Sequence, residues 1–202
     1  PGANTGMGLV IAGGADLNGD RVPDLAVRDA ALLWGDATGP AIEILSGAYL
    51  NALCPEHVCA PGLDERFYAD AGYNVLGVRT LAAPARVILP PRSATAQRFG
   101  AALAVTDLNG DGVGDLLVGA PDDSTWGEFS GAVMAWRASS DPMSFAGPPW
   151  LVGVGDTAEP SLFGGALSLS RDATSAWVAV GAPLSNHRGA QTGAAYRWRI
   201  DR

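Results

Sequence analysis

Three stretches of this 202-residue chain run through the same order of glycines and short apolar segments, and a chain that repeats itself must be assembled from repeated units. They are Met7-Gly8-Leu-Val-Ile-Ala-Gly-Gly-Ala-Asp16, Phe99-Gly100-Ala-Ala-Leu-Ala-Val-Thr-Asp107 and Phe163-Gly164-Gly-Ala-Leu-Ser-Leu-Ser-Arg171. The second and third each lead into Val-Gly-Ala-Pro, at 118–121 and 180–183, whereas the first reaches Val27-Arg28-Asp29-Ala30. A further apolar run follows in every copy: Ala41 to Gly47, Gly131 to Arg137, and Gly193 to Arg199. A fourth element precedes the next Phe-Gly, Arg86 to Leu89 before Phe99 and Pro149 to Val152 before Phe163; the third copy stops after its third run, at Ile200.

Runs of four to eight residues bounded by Gly, Pro, Asp and Asn read as strands. With 27 Gly and 14 Pro breaking the chain every few residues, a helical bundle or coiled coil is excluded. Four strands joined by tight turns form one antiparallel sheet, and repetition of that sheet predicts an all-β partial β-propeller of four-stranded antiparallel blades. The expected blades cover about 7–98, 99–162 and 163–202, with an insert at 48–84 in the first. A β-sandwich is the alternative architecture. The insert is expected to be a surface loop; Tyr73 to Arg79 alternates like a strand, so the other reading is a fourth, degenerate blade. Cys54 and Cys59 lie in it, four residues apart around His57, and either close a small disulfide or form an incomplete zinc set. The disulfide reading implies an oxidising compartment.

Between the first and second runs of two copies stands one nine-residue string, Asp16-Leu-Asn18-Gly-Asp20-Arg-Val22-Pro-Asp24 and Asp107-Leu-Asn109-Gly-Asp111-Gly-Val113-Gly-Asp115. Oxygen side chains at positions 1, 3, 5 and 9, with the carbonyl of position 7, let a short loop wrap a hard cation, and calcium suits them better than magnesium. Position 12, where a helical calcium hand needs a bidentate Glu, is Val27 or Val118. The bland alternative, a solvated hairpin turn, accounts for one such loop but not for two agreeing in phase with the repeat. The third copy reads Ser170-Arg171-Asp172-Ala-Thr-Ser-Ala-Trp177, with Arg171 where the first ligand would be. Two calcium sites are therefore expected, and none in the third copy.

The Phe-Gly opening, the Gly-Ala-Pro close and the Asp-x-Asn-x-Asp-Gly-x-x-Asp loop resemble the FG-GAP repeat of integrin alpha-chain β-propellers and related bacterial surface proteins. The resemblance implies that Asp16, Asn18, Asp20, Asp24, Asp107, Asn109, Asp111 and Asp115 bind calcium through side chains, and Val22 and Val113 through backbone oxygens. It also implies an extracellular, cell-surface or periplasmic adhesion or protein-binding role without catalysis. Integrin-type propellers close a ring of seven blades, so three blades imply either a fragment or self-association, with a homodimer as the expected assembly.

Charge excludes other partners. Thirteen basic residues against 21 acidic ones leave a net charge of −8, which repels nucleic acid and anionic lipid heads. No run of 18 apolar residues predicts a membrane span, and residues 1–30 do not read as a signal peptide. A propeller hydrolase is the weakest alternative: His57 and His187 are the only histidines and no Gly-x-Ser-x-Gly elbow exists. A lectin-like alternative rests on Trp126, in the Gly-rich loop 122–128, as a stacking platform for sugars; Trp136, Trp150, Trp177 and Trp198 are expected in the core between blades.

Overall fold

The computed structural model describes residues 10–29, 41–45, 86–88, 98–138, 148–186, 189–190 and 192–201. Met7, Trp34, the insert with Cys54, His57 and Cys59, and His187 lie outside these residues. All regular structure among them is β, and no helix is long and apolar enough to cross a membrane. The strands are β1 (Ile11–Ala15), β2 (Asp24–Asp29), β3 (Ala41–Leu45), β4 (Arg86–Ile88), β5 (Ala102–Thr106), β6 (Asp115–Ala120), β7 (Ala132–Trp136), β8 (Leu151–Val154), β9 (Ala166–Arg171), β10 (Ser175–Ala182) and β11 (Ala194–Asp201). They form three antiparallel sheets, β1-β2-β3-β4, β5-β6-β7-β8 and β9-β10-β11, each following the chain from one edge to the other.

Burial shows how the sheets stack. Side chains alternate across a strand, so a strand covered on one face alternates in burial and one covered on both does not. Every residue of β6 and β7 is buried, whereas β11 alternates between half-buried and exposed. The middle sheet is thus clamped between the other two. One core joins Ala26, Ile42 and Ile44 of the first sheet to Leu116, Val118, Met134 and Trp136 of the second. A second core joins Leu117, Val133 and Ala135, on the opposite face, to Ala176, Val178 and Val180 of the third. The first strands β1, β5 and β9 run side by side. This all-β stack is consistent with a partial β-propeller.

The repeated glycines and phenylalanines make the stack possible. Phe99 and Phe163 are the wedges between sheets: Phe99 meets Trp136 edge-on at 6.0 Å, and Phe163 meets Tyr196 at 5.4 Å and stacks on Trp198 at 6.1 Å. Gly100 and Gly164 then turn with φ of +78° and +93°, a region that costs other residues about 1–2 kcal/mol. Their amides donate to the Gly119 and Gly181 carbonyls of their own copy, closing the first strand onto the second. A Cβ on Gly119 would also collide with the Gly164 carbonyl of the next copy, so the glycine of Gly-Ala-Pro is set by sheet-to-sheet approach. The first copy has Arg28 there instead, which crosses to donate from Nε to the Phe99 carbonyl at 2.9 Å and packs along Gly100.

Two tryptophans depart from the sequence expectation. Trp136 and Trp198 belong to the cores, but Trp150 remains 36% exposed under the Arg137 guanidinium, and Trp177 lies beneath Arg197 at 3.7 Å on the face opposite Val178. Period-2 alternation carried both indoles away from the cores, and cation-π contact covers them instead.

Candidate metal-binding loops

The two aspartate-rich strings occupy the turns β1–β2 and β5–β6. Strand register makes Asp16 and Asp107 equivalent, because each follows the residue paired with the last aspartate of its string, Ala15 with Asp24 and Thr106 with Asp115. The two loops share one bonding scheme. In the first, Asp16 accepts from the amides of Gly19 and Arg21, both at 2.6 Å; in the second, Asp107 accepts from Gly110 at 2.6 Å and Gly112 at 3.2 Å. Asn18 Oδ1 and Asn109 Oδ1 accept from Asp20 and Asp111 at 2.9 Å, and these aspartates accept from Val22 and Val113 at 2.8 Å. Asp24 and Asp115 reach back to the amides of Leu17 at 2.7 Å and Leu108 at 2.9 Å. Positions 4 and 6 take positive φ in both, on Gly19 and Arg21 in one loop and Gly110 and Gly112 in the other.

These bonds also set the electrostatics. Each string's acidic side chains are brought into one turn but directed at its own amides, and among the described residues no three Asp, Glu, His or Cys side chains converge as a metal cluster. Asp20 and Asp111 are exposed at the tips, while Asp24 and Asp115 are fully buried at the base. Asp115 Oδ1 accepts no hydrogen bond, an orphaned charge-bearing atom inside the protein. Burial pushes the Asp115 carboxyl up to about 6; the Leu108 amide pulls it down in part, the Asp111 charge raises it again, and smaller effects of the Ala138 amide and the Asp107 charge lower and raise it in turn. A hard cation fits such a donor set, since its charge would satisfy the oxygen that no N–H reaches.

Sequence reasoning passed over Leu17 and Leu108 as spacers at position 2. Both are fully buried, Leu17 in the first core and Leu108 in the second, so each loop is pinned by a leucine thrust between sheets. The signal was available: Leu stands at position 2 in both strings and not in the third copy. Gly114, at position 8, is the other omission. Its amide donates to the Asp16 carbonyl at 2.6 Å, joining the second loop to the first, and a Cβ there would strike Ala15.

The third copy has a tight turn instead. Asp172 Oδ1 accepts from the Thr174 amide at 2.9 Å and the Ser175 amide at 2.8 Å, which hold its carboxyl below the usual range. Trp126, on the β6–β7 loop, is 43% exposed, and Phe129 of the same loop is 45% exposed with φ of +48°.

Residues 99–133, which span the Phe99 wedge, the second loop and the Gly119 contact, match the family model of the FG-GAP repeat. FG-GAP repeats are in general non-catalytic binding modules, and an integrin-like propeller is their usual setting. No curated protein matches the chain.

Proposed function

We propose that the chain is a calcium-stabilised, non-catalytic binding module of the integrin-like β-propeller kind, displayed outside the cell or in the periplasm. Its three sheets are read as successive blades, about 7–98, 99–162 and 163–202. Asp16, Asn18, Asp20 and Asp24, with the Val22 carbonyl, would hold one ion; Asp107, Asn109, Asp111 and Asp115, with the Val113 carbonyl, a second. The observation that carries the reading is the buried, unpartnered Oδ1 of Asp115 inside a loop whose bonding scheme recurs in the first copy. Bound calcium supplies the positive charge that lets three carboxylates share one turn. The loop amides orient those carboxylates, and Leu17 and Leu108 anchor the turns to the cores. Free energy of binding to the folded chain alone adds to its stability as the logarithm of free calcium over Kd. Calorimetric titration of the metal-free chain should find two calcium ions bound and a melting temperature that rises with calcium. Melting unchanged by chelator would overturn the reading.

Support for a binding role over an enzymatic one comes from the repeat family itself. Trp126 and Phe129 favour one further reading. Two exposed aromatics on a single rim loop, one with a strained backbone, form a stacking platform for a sugar or an apolar side chain of a protein ligand. Glycan-array binding lost in Trp126→Ala would assign the ligand as carbohydrate; retained protein binding with no glycan signal would leave a protein partner.

A further inference from the structure

Each sheet has one face toward the copy before it and one toward the copy after it, and strand register identifies both. Ile11, Leu103 and Leu167 are equivalent, because they pair with Val27, Val118 and Val180. Leu103 and Leu167 pack into the core shared with the preceding sheet, whereas Ile11 is 57% exposed. At the other end of the stack Gly181 stands where Gly119 stands in the middle sheet. A Cβ on Gly119 would strike the Gly164 carbonyl of the next copy, but one on Gly181 would meet only Ala166, at 3.4 Å, an ordinary contact. Gly181 lines an open groove of about 650 Å³ with Ala166, Pro183 and Ala195. The third sheet thus keeps the clearance that an approaching backbone demands of the middle one.

Charge distinguishes these two outer faces from the inner ones. The core between the first and second sheets takes Ile44 from one and Met134 from the other; the core between the second and third takes Ala135 and Tyr196. Cross-strand pairing puts Arg197 of the third sheet in the row of Ile44 and Ala135, beside Ala179 as they lie beside Ala26 and Leu117. It puts Glu43 of the first sheet in the row of Met134 and Tyr196, beside Val27 as they lie beside Val118 and Val180. Rows that are uncharged at both inner junctions therefore hold opposite charges at the two ends of the stack. Arg199 is ion-paired with Asp201 at 2.7 Å, so this complementarity lies with Arg197. We propose that copies of this chain associate head to tail, the first sheet of one on the third sheet of another, with Glu43 set against Arg197. Ile11 and the clearance at Gly181 supply the contact, and the charges supply its direction, since two like faces would set arginine against arginine or glutamate against glutamate. Two copies joined at both ends form a closed pair with a two-fold axis. The inference goes beyond the calcium reading and rests on sheet packing alone.

The test is light scattering on the full chain, with circular dichroism to verify that each variant is folded. The wild type should give twice the 20.6 kDa of one copy. Arg197→Glu and Glu43→Arg, each alone, should weaken association at least about tenfold and give the single-copy mass, because like charges then meet at every junction. Mixed in equal amounts, the two variants should recover the double mass, since each altered face finds its opposite on the other chain. Ile11→Asp, at an exposed site, should also give the single-copy mass and tests the first sheet's face even if Glu43→Arg does not fold. A pair formed through two third-sheet faces would ignore Glu43→Arg and Ile11→Asp, and one formed through two first-sheet faces would ignore Arg197→Glu. Either result overturns the proposal, as does a mixture that stays at the single-copy mass or a wild type that remains at 20.6 kDa at high concentration. Calcium titration of the dissociated variants reads the loops separately, so failure of the calcium reading and failure of head-to-tail association are distinct outcomes.

Discussion

At the scale of single residues, Asp115 has the largest consequence. In the folded, metal-free chain burial holds its proton up to about pH 6, against 3.8 for the exposed carboxyl. The folded state therefore binds this proton more tightly than the unfolded one, and the stabilisation it lends is full below pH 3.8 and lost as the pH rises through 6. In chelator, melting should fall between about pH 4 and about pH 7, and excess calcium at the higher pH should restore it. Asp115→Asn should abolish most of that pH dependence, together with binding at the second loop. A chelated chain whose melting ignores pH across this range would mean that Asp115 has a partner in solution. Backbone conformation gives a second residue-scale expectation. Gly112 has φ of +89° with open space around its Cα, so Gly112→Ala should cost about 1 kcal/mol from the backbone alone, read as a lowered denaturation midpoint. Arg21 already occupies the matching position at φ of +69°, a strain that the first loop carries in its native state. That positions 1, 3, 5 and 9 bring oxygen side chains into one turn was legible as spacing. That position 9 lies at the buried base and position 5 at the exposed tip was not, since burial depends on which sheet covers the turn.

At the scale of elements, each loop is held by what precedes and follows it. Leu108 lies in the second core with Phe163 and Val178, contributed by the next copy, while its own amide donates to Asp115. Leu108→Ala should cost about 2–5 kcal/mol through the cavity it leaves. It should also weaken calcium at the second loop, because the amide that orients Asp115 rides on the same residue. Thermal denaturation in saturating calcium and in chelator separates the two effects: a loss of equal size in both would confine Leu108 to packing. The strands themselves were legible from alternation, and where the connection is a tight turn, as from β1 to β2, β5 to β6 and β9 to β10, so was the antiparallel pairing. What alternation cannot say is which face meets which sheet. Trp150 and Trp177 sit in apolar runs that read as core, yet lie one residue out of phase with Leu151 and Val178, which do face the second core. Arg137 and Arg197 cover the indoles, and nothing in the linear order announces that pairing.

At the scale of the whole molecule, the contrast between the middle sheet and the outer ones decides what remains to be explained. The middle sheet is buried on both faces along β6 and β7 and exposes Val152 and Val154 on its outer strand β8, whereas the third turns Ala195, Arg197 and Arg199 outward and the first leaves Ile11 57% exposed. Trp177 lies under Arg197, so the third sheet's outer face presents planar guanidinium over indole rather than bare hydrocarbon. Such a face tolerates water and can also stack against a partner, as arginine does at many interfaces. Among the described residues the first two sheets have four strands and the third has three, with β11 at its edge. Self-association of two arcs, the assembly proposed from the repeat count, would cover these faces by two-fold symmetry. Light scattering on the calcium-loaded chain should then give twice the 20.6 kDa of one copy. Arg197→Glu, which removes the cation above Trp177 and sets an acid beside an already acidic chain, should return the mass to that of a single copy while leaving both calcium steps intact. A wild-type particle of 20.6 kDa at high concentration would show that the guanidinium layer suffices to cap the stack, and the two-arc assembly would be wrong.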